Sequence, residues 1–362
     1  MAVTEDLGRI LSIQSHVTYG YVGGKAATFP LQLLGYDVDI INTVNFSNHS
    51  GYHRFDGTKA TADELDNIFS VLEKNGFLQP ARVLTGFIFG AEALRVVARS
   101  VTKLLENAPQ SIYLLDPVMG DAGRLYVSPD VIPIYRSLLP KATIITPNWF
   151  EVETITETKI EDKASLQKAL TILHETYSVP NVVISSIPVE KWLRDLTPSY
   201  IRSAVSDKEP SLLCLASTRA VEGNVSRRGS VVYAGYVPLI PGYFSGVGDL
   251  FSALVLGHYF PLQSPSDSSR SSSSLPPLPH AVSLALTKTH AILRLTEQYS
   301  SSLPPDDHTV TDDELDNLDP ERRIRRMRGR ELRLIQGRRI LSGETMGEPR
   351  SLKEWEDFWK SN

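Results

Sequence analysis

Gly246-Val247-Gly248-Asp249 is the segment of this chain best suited to chemistry. It follows a turn-forming run, Pro241-Gly242-Tyr243-Phe244-Ser245, and opens the apolar stretch Leu250–Phe260. Gly246 and Gly248 let the backbone curl so that successive N–H groups point at one spot. A helix starting there adds partial positive charge at the same spot. The product is an anion hole suited to a phosphate. Asp249 then stands where a transferred phosphoryl group would meet its acceptor, and a carboxylate there suits a general base for an alcohol. The plainer reading is an N-cap turn with Asp249 as the cap.

A second constellation is acidic. Asp116-Pro117-Val118-Met119-Gly120-Asp121 and Thr146-Pro147-Asn148-Trp149-Phe150-Glu151 each follow a strand-like run. Asp116, Asp121 and Glu151, with Thr146 and Asn148, are oxygen donors of the kind that hold Mg²⁺ against nucleotide phosphates. The plainer reading makes both segments ordinary β-to-α turns built on Asp-Pro and Pro-Asn. Other patterns fail. Gly23-Gly24-Lys25 has Tyr19 and Ala26 where a P-loop needs Gly and Ser or Thr. Phe251 stands at the third glycine position of a dinucleotide fingerprint, and His174-Glu175 lacks the second His of a zincin helix. The eight His residues show no metal-ligand spacing.

The elements that must carry these residues alternate. Arg9–Gln14, Asp37–Val44, Arg82–Phe89, Ser111–Leu115, Thr143–Thr146, Asn181–Ser186, Ser211–Ser217 and Ser230–Val237 read as strands. Ala62–Lys74, Ala91–Asn107, the run through Leu166, Ala169, Leu170 and Leu173, Asp249–Phe260 and Ala281–Gln298 read as helices. In Ala91–Asn107, Leu94, Val97, Val101 and Leu104 keep helical spacing while Arg95, Arg99 and Lys103 take the other face. Such alternation predicts an α/β fold, a central mostly parallel β-sheet flanked by helices on both faces. These sheets bind ligands at the carboxyl ends of their strands, where the acidic segments and the glycine-rich turn are expected to fall.

Composition narrows the class. The chain has 362 residues, 41% hydrophobic and 22% charged, with a net charge of −5. No global positive field draws it to nucleic acid or acidic lipid, so a bound phosphate must be held by local groups. One cysteine, Cys214, rules out an intrachain disulfide or multi-Cys metal cluster, and its apolar surroundings read as a buried strand. The opening MAVTEDLGR carries acid early and has no apolar run, and no stretch reaches the roughly 18 apolar residues of a membrane span. A cytoplasmic protein is expected. Residues 261–280 form a Ser/Pro-rich low-complexity insertion, and residues 303–319 an acidic connector. Nine arginines follow between residues 322 and 339. They suit a nucleic-acid patch or a nuclear address, or a surface neutralised by the adjacent acids, and the second reading is favoured.

Taken together, the chain resembles the pyridoxal kinase family of the ribokinase-like superfamily, in its eukaryotic branch. The likeness runs through Ser12-Ile13-Gln14-Ser15-His16-Val17, Gly20-Tyr21-Val22-Gly23, Phe46-Ser47-Asn48-His49-Ser50-Gly51-Tyr52, Leu84-Thr85-Gly86, Asp116-Pro117-Val118 and Tyr126-Val127. It continues through Thr146-Pro147-Asn148 with Phe150-Glu151, Gly229-Ser230-Val231-Val232, Gly248-Asp249-Leu250-Phe251 and Glu331-Leu332-Arg333-Leu334-Ile335-Gln336. It spans about residues 9–260 and 281–340, so a single domain is expected rather than two.

The resemblance implies ATP-dependent phosphorylation of the 5′-hydroxymethyl group of pyridoxal, pyridoxine or pyridoxamine by a homodimer. By likeness, Ser15 would hydrogen-bond the pyridine ring, with Val22, Val44, His49 and Ser50 lining its pocket. Phe87 stands where some members have Tyr, which keeps stacking and loses a hydroxyl. Asp116 would lie near phosphates and cations, with Asp121, Thr146 and Glu151 positioning Mg²⁺ and a monovalent ion, K⁺ or Na⁺. Asn148, Ser185 and Ser186 would contact nucleotide phosphates beside Gly246, Val247 and Gly248, and Asp249 would be the base. Val247 replaces the family's usual Thr, which removes a hydroxyl from the anion hole and predicts weaker nucleotide binding. The segment from Asp121 to Tyr126 is shorter than in some members. Alternatives are a hydroxymethylpyrimidine-type kinase, a catalytically weakened binding homologue, and a nucleic-acid role for the arginine-rich segment.

Overall fold

The computed structural model describes residues 7–202, 210–220, 229–261, 275–304 and 313–360. The first half runs β1 (Arg9–Val17), α1 (Gly24–Leu33), β2 (Asp37–Phe46), β3 (Gly57–Lys59), α2 (Ala62–Lys74), β4 (Arg82–Thr85), α3 (Ala91–Asn107), β5 (Ile112–Leu115), β6 (Gly120–Asp121) and β7 (Arg124–Leu125). Then come α4 (Ile132–Leu138), β8 (Ile144–Ile145), α5 (Trp149–Thr156), α6 (Lys163–Thr171), β9 (Asn181–Pro188), α7 (Lys191–Leu196), α8 (Ser199–Arg202), β10 (Ser211–Arg219), β11 (Ser230–Pro238), α9 (Val247–His258) and α10 (Pro277–Ser301). Short helices at Asp313–Leu318, Pro320–Gly329 and Arg338–Ser342 lead to the edge strand β12 (Lys353–Glu354).

The strands form a ten-stranded sheet in the order β12-β11-β10-β9-β8-β5-β4-β1-β2-β3. From β2 to β9 the neighbours are parallel. The two edges, β3 on one side and β10, β11 and β12 on the other, are antiparallel. The alternating pattern therefore gave the right class. Side chains alternate across the sheet as a two-residue period demands. Leu11 and Ile13 of β1 pack with α2 and α3, while Ile10 packs with α1, α9 and α10. In α3, Leu94, Val97, Val101 and Leu104 are buried, whereas Arg99 and Lys103 face α2 and pair with Asp66 and Glu73. Cys214 is a buried residue of β10.

Several boundaries differ from the sequence reading. The fourth strand stops at Thr85 rather than Phe89, because the chain turns outward toward α3. The strand expected over 143–146 is only Ile144–Ile145, bounded by Pro147. Helix α10 begins at Pro277, inside the segment expected to be low-complexity, because Pro is favoured in a helix's first turn. Residues 262–274 of that segment, and 305–312 of the acidic connector, lie outside the described residues. No helix among the described residues is long and apolar enough to cross a membrane.

Helix α9 matters most for the site and is held at its far end by Arg82. This buried side chain donates from Nη1 to the carbonyls of Leu256 and Tyr259 at 2.8 and 2.7 Å, filling acceptors that the helix cannot satisfy itself. Arg82→Met should lower stability by about 2–3 kcal/mol, the range for hydrogen bonds to a charged group, as read by urea denaturation.

Candidate active site

The carboxyl ends of the parallel strands share one rim, and α9 starts there. Its N-cap is Gly246 in the left-handed region (φ +80°), and no side chain caps it. A Cβ on Gly246 would overlap the Tyr21 carbonyl oxygen, so packing alone demands glycine. A Cβ on Gly248 would meet nothing within 4 Å. The protein thus explains Gly246 and leaves open space beside Gly248, next to first-turn N–H groups that have no partner within the helix. Asp249 is not the cap. It is the third residue of α9, and its Oδ2 accepts the Gly23 N–H at 2.7 Å.

The acids meet behind it. Asp116, just past β5, is 6% exposed. Ser252, one turn beyond Asp249, donates to Asp116 Oδ2 at 2.8 Å, and its Oγ lies 2.9 Å from Thr146 Oγ1. Burial and then the Asp249 charge push Asp116 up to about 7, against the Ser252 hydrogen bond. Burial raises Asp249 as well, and the Gly23 N–H opposes it. Glu151 is buried, and its two oxygens accept the N–H groups of Met119 and Asn148, each at 2.9 Å. Burial and the Asp116 charge still hold it well above the usual carboxylate range.

Two expected ligands behave otherwise. Asn148 caps α5, its Oδ1 accepting the Glu151 N–H at 2.9 Å and its Nδ2 donating to the Gly120 carbonyl at 2.8 Å. The plain-turn reading therefore holds for its side chain. Asp121 is exposed on the β6–β7 hairpin, where its Oδ1 accepts the Ala122 N–H at 2.7 Å. Among the described residues, no three His, Cys, Asp or Glu side chains form a group that could hold a metal ion. The expected set of Asp116, Asp121, Thr146 and Glu151 is thus not a closed ligand shell, because Asp121 serves its own turn and the Thr146 hydroxyl engages Ser252.

The residues expected to face the ring lie on the other side of Asp249. Ser15 follows an irregularity in β1 and is in register with the buried Val44 of β2. A Cβ on Gly23 would overlap Ser15, so the loop carrying Val22 and Gly23 packs directly on it. Phe87, half-buried past β4, accepts the Thr43 hydroxyl on its carbonyl at 2.7 Å. His49 has Nδ1 3.1 Å from the Gly51 N–H and 3.2 Å from Ser245 Oγ, and Ser50 is exposed. Ser185 and Ser186 are half-buried toward the end of β9, and the Ser185 N–H donates to the Pro147 carbonyl at 3.2 Å. Strand order thus separates the two groups. Ser15, Val44 and Phe87 belong to β1, β2 and the end of β4, whereas Asp116, Asn148, Ser185 and Ser186 belong to the ends of β5, β8 and β9. Asp249 stands between them, bonded to the Gly23 loop and coupled by charge to Asp116.

Three participants escaped the sequence reading. Ser252 had a signal, since three residues from Asp249 puts it on the same helix face. Tyr126, noted without a role, stands near Glu151, Asp121 and Asp116 and is 56% exposed. Glu331, named only within the family likeness, carried no signal of its own for a role. The arginine-rich segment is also different from the expected solvated face. Arg322, Arg326 and Arg330 are buried, and the first two pair with Asp316.

A raised carboxylate is a stability statement. Between the ordinary Asp value and about 7, the folded protein keeps a proton on Asp116 that the unfolded chain has lost, so stability falls as pH rises through that window. Asp116→Asn should therefore raise the Tm at pH 8 by roughly 1 °C for each ~1 kcal/mol gained in a chain of this size, with the gain fading as pH falls below about 7. A thermal melt series across pH checks this.

A family model described as phosphomethylpyrimidine kinase matches residues 33–201. The chain is similar to pyridoxal kinase of Arabidopsis thaliana, 39% identical over 258 residues that make up 71% of this chain and 76% of the relative. It is also similar to pyridoxal kinase of Ovis aries, 38% identical over 257 residues, 70% and 77% of the two chains. The structure of pyridoxal kinase from Leishmania donovani in complex with ADP and pyridoxamine superposes with a TM-score of 0.73 at 32% identity, covering 96% of this chain and 99% of the other. The complex of that protein with ADP and pyridoxine gives 0.72, over 95% and 99% of the two chains. With this identity and coverage, and with the ribokinase-like sheet carrying its acids on the carboxyl rim, the chain belongs to the pyridoxal kinase family.

Proposed function

We propose that this enzyme transfers the γ-phosphoryl group of ATP to the 5′-hydroxyl of pyridoxal, and of pyridoxine and pyridoxamine, with Asp249 as the base. The observation that carries the proposal is the position of Asp249, gripped by the Gly23 N–H at 2.7 Å between the two groups of strand ends. That bond occupies Oδ2 and leaves Oδ1 to take the alcohol proton as the oxygen–phosphorus bond forms and ADP departs. Burial helps, because it brings the carboxylate closer to the pKa range in which a base works near neutral pH. The first-turn N–H groups of α9 are aimed where charge builds on the phosphoryl oxygens. The open space at Gly248 lets phosphate approach the backbone there.

The donor set suits a divalent cation. Asp116 and Glu151 are buried acids; burial and the Asp249 charge raise Asp116, burial and the Asp116 charge raise Glu151, and a cation would relieve that repulsion. We take Asp116, with Glu151 behind it, as the residues that would hold Mg²⁺, which would supply charge neutralisation to the ATP phosphates. Asp121 and Thr146 fall to supporting roles, with K⁺ or Na⁺ as a monovalent activator. The same proposal treats the enzyme as a cytoplasmic homodimer.

A hydroxymethylpyrimidine substrate is the second reading, favoured by the family model over residues 33–201. Turnover of that alcohol in preference to pyridoxal would establish it.

Asp249→Asn should lower kcat by about 10²–10⁴, the usual contribution of general-base catalysis, in a coupled ADP-release assay. Equal turnover by the variant would remove the mechanism. Val247→Thr should lower the KM for ATP by up to about tenfold, the worth of one hydrogen bond to a charged group. An unchanged KM would make the hydroxyl irrelevant in this chain.

A further inference from the structure

The arginine-rich segment packs on the side of the site assigned to the vitamer. Arg323 Nε, on the helix Pro320–Gly329, donates to the Gly51 carbonyl at 2.9 Å, and Glu321 of the same helix pairs with Arg54 at 2.8 Å. The guanidinium of Arg330 lies 5.9 Å from the Phe244 ring, on the turn that leads into the anion hole. This helix therefore seats the loop around His49, and Glu331 stands two residues past its end.

Glu331 gathers three donors from two loops. Its Oε2 accepts the Tyr21 N–H at 2.8 Å, and its Oε1 accepts the Tyr52 hydroxyl at 2.8 Å. His49 Nε2 stands 3.2 Å from the same Oε1. The side chains of His49 and Glu331 are 10% and 12% exposed, so these contacts are little screened by water. The acceptor at Nε2 requires Nε2–H, which leaves Nδ1 as the acceptor for the Gly51 N–H and the Ser245 hydroxyl. One tautomer satisfies every partner, and the Tyr52 ring at 4.7 Å holds the plane. On the other loop, Glu331 grips the Tyr21 N–H while Asp249 grips the Gly23 N–H two residues on. Val22 lies between these two carboxylate anchors.

We propose that Glu331 is the positioning residue of the vitamer site: it fixes the ring of His49 and the backbone at Tyr21–Gly23, so that ring recognition is set relative to Asp249. His49 then offers the vitamer an oriented ring wall, since both of its nitrogens are engaged within the protein. The proposal rests on the vitamer-kinase reading above. Glutamine is the informative replacement, because it keeps the shape but has only one acceptor oxygen and places an NH₂ against donors.

The experiment measures pyridoxal and ATP kinetics for wild type, Glu331→Gln and Tyr52→Phe, with a thermal melt of each. Glu331→Gln should raise the KM for pyridoxal by roughly tenfold, the loss of one charge-assisted hydrogen bond, while the KM for ATP stays within about twofold. Tyr52→Phe, which removes a single Glu331 partner, should raise the pyridoxal KM by a smaller factor and also spare ATP. If Glu331→Gln does not fold, Tyr52→Phe decides alone. An unchanged pyridoxal KM, or parallel loss for both substrates, would overturn the assignment. Wild type that fails to turn over pyridoxal would instead remove the functional reading.

Discussion

The site is organised around a repulsion. Asp116, Glu151 and Asp249 arrive on three separate chain segments and converge where burial penalises each charge. Among the described residues, the protein offsets this with oriented donors. Asp249 and Glu151 each occupy the third residue of a helix, where the macrodipole favours an anion. Backbone N–H groups of Gly23, Met119 and Asn148 bind them, and Ser252 binds Asp116. What remains is a cluster of acids with raised proton affinity at the strand ends. The net charge of −5 is no obstacle to an anionic cosubstrate.

Helix α9 is the part through which the two halves of the site communicate. Its first turn touches the loop after β1 through Gly23, and Ser252 links it to Asp116 and Thr146. Arg82 anchors its other end to β4. A rigid helix held at both ends keeps Asp249, the glycine-rich turn and the acidic residues in one frame, which is what the proposed positioning catalysis needs. The arginine-rich segment adds a second frame on the other side, through Glu331 and the arginines beside it.

Much of this was legible before any coordinates. The glycine pair and the acid at 249 announced a helix start with bare N–H groups, and the alternation of strands and helices placed them on a carboxyl rim. The Leu94–Leu104 stripe marked its helix, and Cys214 read correctly as core. Asp121 was less legible, because an Asp in a Gly-rich turn equally well accepts its neighbour's N–H, as it does in the structure. The arginines were read in part: the adjacent acids do pair with them through Asp316, but their burial and the bond from Arg323 to the Gly51 carbonyl arise only through packing.

The division follows from the range of the forces. Backbone freedom at Gly246, helical periodicity and the Asp249–Ser252 spacing are short-range, so the sequence alone determines them. The proton affinity of Asp116, the engagement of both nitrogens of His49 and the grip of Glu331 on Tyr21, 310 residues away, depend on desolvation and on contacts between distant segments. Only the tertiary structure decides these, because a charge acquires its behaviour from the water it loses and the partners that replace it.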